Sequence, residues 1–76
     1  MIEFDGPVPV YRQIAAILRT QIEAGELPPN ARVPSEKDLM DTYGVGRDTA
    51  RAVVALLRDE GYVYTVATRG TFVAER

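Results

Sequence analysis

Apolar residues in the first third of the chain recur at helical spacing. Between about Pro9 and Ala24 they fall three and four positions apart, which predicts an amphipathic helix with one buried face. Pro9 suits a first helical turn, where its missing N–H costs nothing, and Gly25 suits the position just past the last turn. The residues expected on the buried face are Tyr11, Ile14, Ala15, Leu18 and Ile22.

A proline-rich linker at positions 28–34 separates this helix from two shorter ones. Each proline pushes its predecessor to extended geometry, and Arg32 and Val33 leave room for a very short strand. Ser35 and Asp38 have the spacing of a capping box, so the second helix is expected to begin there. The second helix ends at Gly44, and the expected buried positions on it are Leu39, Met40 and Tyr43.

The third helix follows the short link Val45–Gly46 and ends at Gly61. Arg47 and Arg51 are four residues apart, so they lie one above the other on one face, away from the apolar stripe. Arg58, two turns further on, is expected to be an ordinary solvated residue. The buried stripe is predicted to consist of Ala50, Val53, Val54 and Leu57.

The end of the chain changes to the composition of strands. Tyr62–Val66 and Thr71–Val73 are rich in β-branched and aromatic residues, and Ala67–Gly70 connects them. This pattern predicts a β-hairpin, in which at least one of Tyr62 and Tyr64 serves packing. The predicted fold class is mainly α with a small β-hairpin: three helices followed by a two- or three-stranded wing.

Two short helices joined by a glycine-containing turn are a helix-turn-helix signature. The N-terminal half of the second of these helices can enter a DNA major groove, while the first lies across the backbone. A hairpin after such a pair makes a winged variant, whose tip near Thr68–Gly70 can reach a neighbouring groove or phosphates. A small helical core with a β-cap and no ligand has the same topology, and topology alone does not separate the two.

Length and composition narrow the class of protein. Seventy-six residues allow one domain, expected to span 1–76 with its core at about 8–74. The acidic start and the absence of a long apolar stretch indicate neither a signal peptide nor a membrane span, so we expect a cytoplasmic protein with no membrane partner.

Catalysis and metal binding are not expected. The sequence has no cysteine for a disulfide or thiolate site and no histidine, the commonest general base and metal ligand. The carboxylate pairs Asp38 with Asp41 and Asp59 with Glu60 fall on helix faces expected to be exposed, where paired acids are usually solvated. We therefore predict no enzyme activity, no metal and no cofactor.

Four blocks of the sequence, in order, resemble the DNA-binding domain of the GntR family of bacterial transcription regulators. The resemblance covers nearly everything from Val8 to Val73 and implies a sequence-specific regulator, with repression the expected direction. It implies double-stranded DNA with a palindromic operator as the partner. The blocks are Pro9–Ile14, Gly25–Glu36, Tyr43–Arg51, and Gly61–Val63 with Arg69–Val73.

The resemblance also implies roles for residues of the two helices. Lys37, early in the second helix, would touch the phosphate backbone. Arg47 and Arg51 would contact DNA from the third helix, and an arginine fork fits guanine or a phosphate with two bonds. Thr49 matches the small polar residues between them. Asp48 is a departure: it would repel phosphates, yet it can accept a hydrogen bond from cytosine, so we expect it to influence sequence choice.

The turn and the wing carry further departures. The position before Arg47 usually holds a serine or threonine that caps the helix and bonds a phosphate, and Gly46 lacks that hydroxyl. The wing tip usually carries a glycine that enters the minor groove. Here Thr68 occupies that position, with Arg69 and Gly70 beside it.

GntR regulators normally join this domain to a larger one that binds a metabolite and dimerises. The chain ends just past the wing, so no effector-binding domain and no small-molecule effector are expected in it, whereas a homodimer on DNA remains compatible with the sequence. The alternative function is a winged-helix module that binds a protein. Two features favour that alternative: the missing capping hydroxyl at Gly46 and the excess of acidic over basic residues.

The net charge of −2 by itself argues mildly against a nucleic-acid partner. Its distribution argues otherwise, because most acids fall at the termini, around the first helix or at the far end of the third. The cations fall on the elements expected to face DNA. The exceptions are Asp48 and the second-helix acids Glu36, Asp38 and Asp41, whose directions the sequence does not determine.

Overall fold

The computed structural model describes residues 2–75, which form three helices and a β-hairpin. The helices are α1 (Val10–Glu23), α2 (Glu36–Tyr43) and α3 (Arg47–Asp59), and the strands are β1 (Val63–Val66) and β2 (Gly70–Val73). This order confirms the predicted class of three helices followed by a wing.

Helix α1 packs on α3, and the predicted apolar faces meet there. Ile14, Ala15, Leu18 and Ile22 of α1 are buried as expected, whereas Tyr11 is half-buried. Pro9 is the residue that precedes the helix and not part of its first turn. Its extended ψ of 143° and its carbonyl, which accepts from the amides of Arg12 and Gln13, place it at the cap.

The core of the described residues continues from α1 and α3 to the linker, α2 and the wing. All four predicted positions of α3 are buried, but of the three expected in α2 only Leu39 is fully buried, while Met40 and Tyr43 pack at its margin. With eight residues, α2 has only about two turns, so few of its positions face the core. The core residues contributed from outside α1, α2 and α3 are Val33, Val63 and Val73.

The hairpin is antiparallel, with Val63 paired to Val73 and Val66 paired to Gly70. Its backbone also bonds to the linker, since the amide of Val33 donates to the carbonyl of Thr71 (2.9 Å) and the amide of Asn30 donates to that of Val73 (2.8 Å). A single antiparallel bridge joins Arg32 to Phe72. The short strand expected at Arg32 and Val33 is therefore one bridge beside a two-stranded sheet.

Candidate nucleic-acid interface

The turn between α2 and α3 sets the direction of α3. Gly44 ends α2 in a left-handed conformation, with φ of +66°, which an L side chain rarely adopts. Gly46 then stands in extended geometry as the residue before α3 and makes no side-chain cap, as its missing hydroxyl predicts. The left-handed turn at Gly44 thus ends α2, and α3 begins three residues later at Arg47.

The first turns of α3 are anchored on one face and exposed on the other. Ala50 and Val53 are fully buried, which leaves Arg47, Asp48 and Arg51 exposed and Thr49 half-buried. The side chain of Asp48 makes no hydrogen bond or ion pair with the residues that the structure describes. Helix α3 therefore presents two guanidinium groups and one carboxylate from a rigid support.

Lys37 lines two clefts, one between α2 and α3 and the other between α2 and the wing. One cleft is lined by Lys37 together with Arg47 and Met40. The other, of about 280 Å³, is lined by Lys37 together with Gly70 and Thr71 at the base of β2. The basic residues of α2 and α3 thus share one surface that runs toward the wing.

Two of the cations on this surface face acids of α2. Lys37 Nζ lies 3.0 Å from Asp41 Oδ2, and Arg51 Nε lies 4.0 Å from Glu36 Oε2. The first pair is 84% and 66% exposed, so it contributes little to stability and is easily exchanged for another anion. Within residues 2–75, Arg47 and Arg69 form no such ion pair.

Asp38, the third acid of α2, is committed to the start of its own helix. Its carboxylate accepts from the Ser35 amide, and its amide donates to the Ser35 hydroxyl, both at 3.1 Å, which completes the predicted capping box. The Ser35 amide, followed by the Ser35 hydroxyl, lowers the pKa of Asp38 below its usual value. The three acids of α2 therefore have two roles. Asp38 caps the helix, whereas Glu36 and Asp41 face the cations Arg51 and Lys37.

The wing tip is a three-residue connection between β1 and β2. The amide of Arg69 donates to the carbonyl of Val66 (3.0 Å), and Thr68 adopts a left-handed conformation with φ of +63°. The side chains of Thr68 and Arg69 are exposed and share neither of the two clefts with the helix residues, whereas Gly70 reaches the second cleft. The tip thus adjoins the second cleft through Gly70, while the side chains of Thr68 and Arg69 extend into solvent.

Arg58, Tyr62 and Tyr64 are used for packing and local bonds. Arg58 Nη1 donates to Thr65 Oγ1 of the wing (2.9 Å). Tyr62 donates to Glu23 (2.7 Å) and Tyr64 to Asn30 (2.8 Å), and the ring of Tyr64 lies 5.8 Å from that of Phe72. The packing role expected for at least one of these tyrosines is confirmed.

Residues 10–73 match the model of the family described as bacterial regulatory proteins, gntR family. The chain belongs to the GntR family. The curated relatives include the HTH-type transcriptional repressor NagR of Bacillus subtilis (strain 168), 40% identical over 74 residues. They also include the mannosyl-D-glycerate transport/metabolism system repressor MngR of Escherichia coli (strain K12), 39% identical over 70 residues.

The chain spans less than a third of the length of these GntR relatives. The aligned residues are 97% of this chain and 30% of NagR, and 92% of this chain and 29% of MngR. The similarity therefore concerns one domain of proteins that are larger than the chain described here.

Two solved structures of GntR type have the same fold. AraR(DBD) in complex with an operator has a TM-score of 0.84 and 34% identity, over 96% of this chain and 95% of that one. YtrA from Sulfolobus acidocaldarius, a GntR-family transcription factor, has a TM-score of 0.89 and 32% identity, over 100% of this chain and 80% of that one. The fold is thus the winged helix of GntR DNA-binding domains.

Membrane-spanning helices and clusters of metal-ligating side chains are both absent from residues 2–75. No helix among them is both long and apolar enough to cross a bilayer. No group of three or more acidic, histidine or cysteine side chains in residues 2–75 is arranged to hold a metal ion.

One basic residue at this surface was not singled out in the sequence. Arg32 lines the same cleft as Lys37 and Gly70, and its side chain lies against Gly70. In the sequence it belongs to a proline-rich linker, and no local pattern brings it beside the wing. The pairing of the linker with β2 is a long-range contact, which spacing along the chain does not reveal.

Proposed function

We propose that this chain is the DNA-binding part of a sequence-specific transcription regulator that acts as a repressor. The observation that carries the proposal is the group of three exposed cations, Lys37, Arg47 and Arg51, around the start of α3, whose other face is buried. The operator complex of AraR(DBD) and the repressor names of NagR and MngR support the same function.

In this proposal the first turns of α3 enter the major groove. Arg47 and Arg51 each present a planar fork that can bond guanine O6 and N7, or one phosphate, with two hydrogen bonds. Thr49 approaches the groove edge or a phosphate from between them. Asp48 favours cytosine, whose N4 amino group donates, and it disfavours duplexes that offer only acceptors at that position.

The other candidate residues contact the DNA backbone. Lys37 acts as a point charge on a phosphate, and Gly46 lets the duplex approach the exposed amides at the start of α3. The wing tip, with Thr68, Arg69 and Gly70, reaches the adjacent minor groove or its phosphates. Because the exposed side chains of the tip belong to the hairpin and not to α2 or α3, they add a further point of contact on the duplex.

The acids of α2 regulate how tightly this surface binds. Glu36 and Asp41 face Arg51 and Lys37 in the free protein, so a phosphate must replace a carboxylate when DNA binds. Both pairs are exposed, and such pairs contribute at most about 1 kcal/mol each. The replacement therefore lowers non-specific affinity without preventing specific binding.

The proposed DNA-binding role extends to the bounds of the domain, its location and the number of copies on DNA. We propose that residues 8–74 form the DNA-reading unit, that the protein acts on DNA in the bacterial cytoplasm, and that two copies bind a palindromic operator. Two-fold related half-sites about one helical turn apart would place two α3 helices in successive major grooves on one side of the duplex.

Selection of bound duplexes from a random pool tests the proposal. We expect an enriched palindromic sequence whose binding weakens as salt rises. Replacement of Arg47 or Arg51 by alanine should reduce binding to that sequence by about 1–3 kcal/mol where the arginine reads a base. If an arginine contacts only phosphate, the loss should be equal on all sequences.

Arg58→Ala is the matched control. Arg58 is also an exposed arginine of α3, but it lies in the last turn of that helix and donates a hydrogen bond to Thr65 of the wing. It should leave the selected sequence and its affinity nearly unchanged. Absence of any enriched sequence, or full binding by the Arg47→Ala, Arg51→Ala double variant, would overturn the proposal. Absence of enrichment would favour a protein partner for this winged helix.

A further inference from the structure

The backbone around Arg32 is fixed beside the wing. Arg32 pairs with Phe72 of β2 in an antiparallel bridge, and the next residue, Val33, is buried and donates its amide to Thr71 (2.9 Å). These contacts involve main-chain atoms and a neighbouring side chain. The position of Arg32 therefore does not depend on its own side chain.

The guanidinium of Arg32 lies directly over Gly70. A Cβ atom built at position 70 would stand 3.0 Å from Arg32 Nε and 3.2 Å from Nη2, closer than such atoms normally approach. Gly70 also has a φ of +127°, where any L side chain is strained. The φ of Gly70 therefore favours glycine at this position, and the absence of a side chain there lets the arginine rest close against the wing.

The polar atoms of this guanidinium are available to a ligand. Arg32 is exposed, and its side chain forms neither a hydrogen bond nor an ion pair with any residue in 2–75. The two nearest acids in the sequence have hydrogen-bond or ion-pair partners of their own: Asp38 accepts from Ser35, and Glu36 faces Arg51. The charge of Arg32 also acts on Asp38, as the smallest of the contributions, after the Ser35 hydrogen bonds, that lower the pKa of that carboxyl. An arginine carries five N–H donors in a planar fork, which matches a phosphate.

Arg32 and Lys37 line one cleft of about 280 Å³ between the start of α2 and the start of β2, next to the wing tip. Glu36 also lines it. Two cations thus border a gap that runs from the helix-turn-helix to the wing. The gap joins two elements that are both proposed to contact the same duplex.

We propose that Arg32 binds a backbone phosphate of DNA at the mouth of this cleft, with Lys37 as the second cation. This inference rests on the proposed function of the chain. The contact connects the helix-turn-helix with the wing, so that one stretch of phosphate backbone is held from both sides. Because Arg32 reads charge and not bases, it strengthens binding to every sequence equally.

The salt dependence of binding to a short mixed-sequence duplex tests this assignment, since a phosphate contact needs no particular operator. Arg32→Gln should lower the slope of log affinity against log salt by about 0.9, the value for one released counterion. At 0.1 M salt the same term corresponds to a loss of roughly five- to ten-fold in affinity. Arg32→Lys keeps the charge and should retain most of the slope.

Arg58→Gln is the matched control, because it also removes one exposed charge and one side-chain contact with the wing. It should leave the slope unchanged. If Arg32→Gln lowers the melting temperature but behaves like Arg58→Gln in the salt titration, Arg32 only supports the wing and the inference is wrong. If the slope falls for Lys37→Gln but not for Arg32→Gln, this inference alone is wrong. If the unaltered chain shows no salt-dependent binding to DNA, the proposed function is wrong.

Discussion

Thr68 at the tip of the wing has a φ of +63°, a region that β-branched residues rarely adopt. Its side chain is exposed, and its hydroxyl bonds only to the carbonyl of the preceding residue, Ala67. The left-handed conformation costs an L residue about 1–2 kcal/mol, because Cβ crowds the backbone. We therefore expect Thr68→Gly to make the domain more stable.

The expected gain is smaller than the strain that is removed. Glycine has more freedom in the unfolded chain than other residues, which costs about 0.5–1 kcal/mol on folding. The net increase in the free energy of unfolding then lies between about 0 and 1.5 kcal/mol, with a central value of about 0.75 kcal/mol. For a domain of this size, the central value corresponds to a rise in melting temperature of about 3–6 °C.

Urea unfolding followed by circular dichroism measures this difference. Ala67→Gly is the matched control, because Ala67 is the adjacent exposed turn residue and does not have a positive φ. It adds the same unfolded-state freedom without relief of strain, so it should lower stability by about 0.5–1 kcal/mol. If Thr68→Gly destabilises as much as Ala67→Gly, the wing tip stores no strain at Thr68.

Three other predictions concern the capping box at the start of α2, the core and the start of α3. The folded state lowers the pKa of Asp38, so the Asp38 carboxylate should stabilise the fold above the pKa of an unfolded aspartate and lose this effect as pH falls through the lowered pKa. In urea titrations, Asp38→Asn should therefore be less stable than the unaltered chain at neutral pH, and the two stabilities should converge in acid. Leu57 of α3 is only 1% exposed, so Leu57→Ala should lower the free energy of unfolding by about 2–5 kcal/mol in the same assay. A smaller loss would mean that the surrounding side chains close the cavity left by the leucine. Asp48→Ala should tighten binding to unrelated duplexes more than to the selected sequence in gel shifts, and equal tightening of both would leave only repulsion as its role.

The helices were predictable because their signals are local. The four buried positions of α3 follow from spacing alone, and the capping box at Ser35 and Asp38 is visible as two residues three apart. Glycine at position 44 likewise marks a left-handed stop that few other residues tolerate. Each of these features depends on residues within about two turns of one helix.

The features that were not predictable depend on contacts between distant segments. Arg32 reaches the wing only because the linker pairs with β2, some forty residues further along the chain. The pairing of Glu36 with Arg51 depends on the angle between α2 and α3, which spacing does not specify. The left-handed conformation of Thr68 contradicts its residue type, so the strain at the wing tip follows from the fold of the hairpin and not from local preference.

An NMR titration of the chain with a duplex selected from a random pool tests the central claim most directly. The account predicts that the amide signals that shift belong to the start of α2, the first turns of α3 and the wing, while those on the outer face of α1 near Thr20 stay in place. Shifts concentrated on the outer face of α1, with Arg47 and Arg51 unaffected, would contradict the claim that α3 and the surface around it bind DNA.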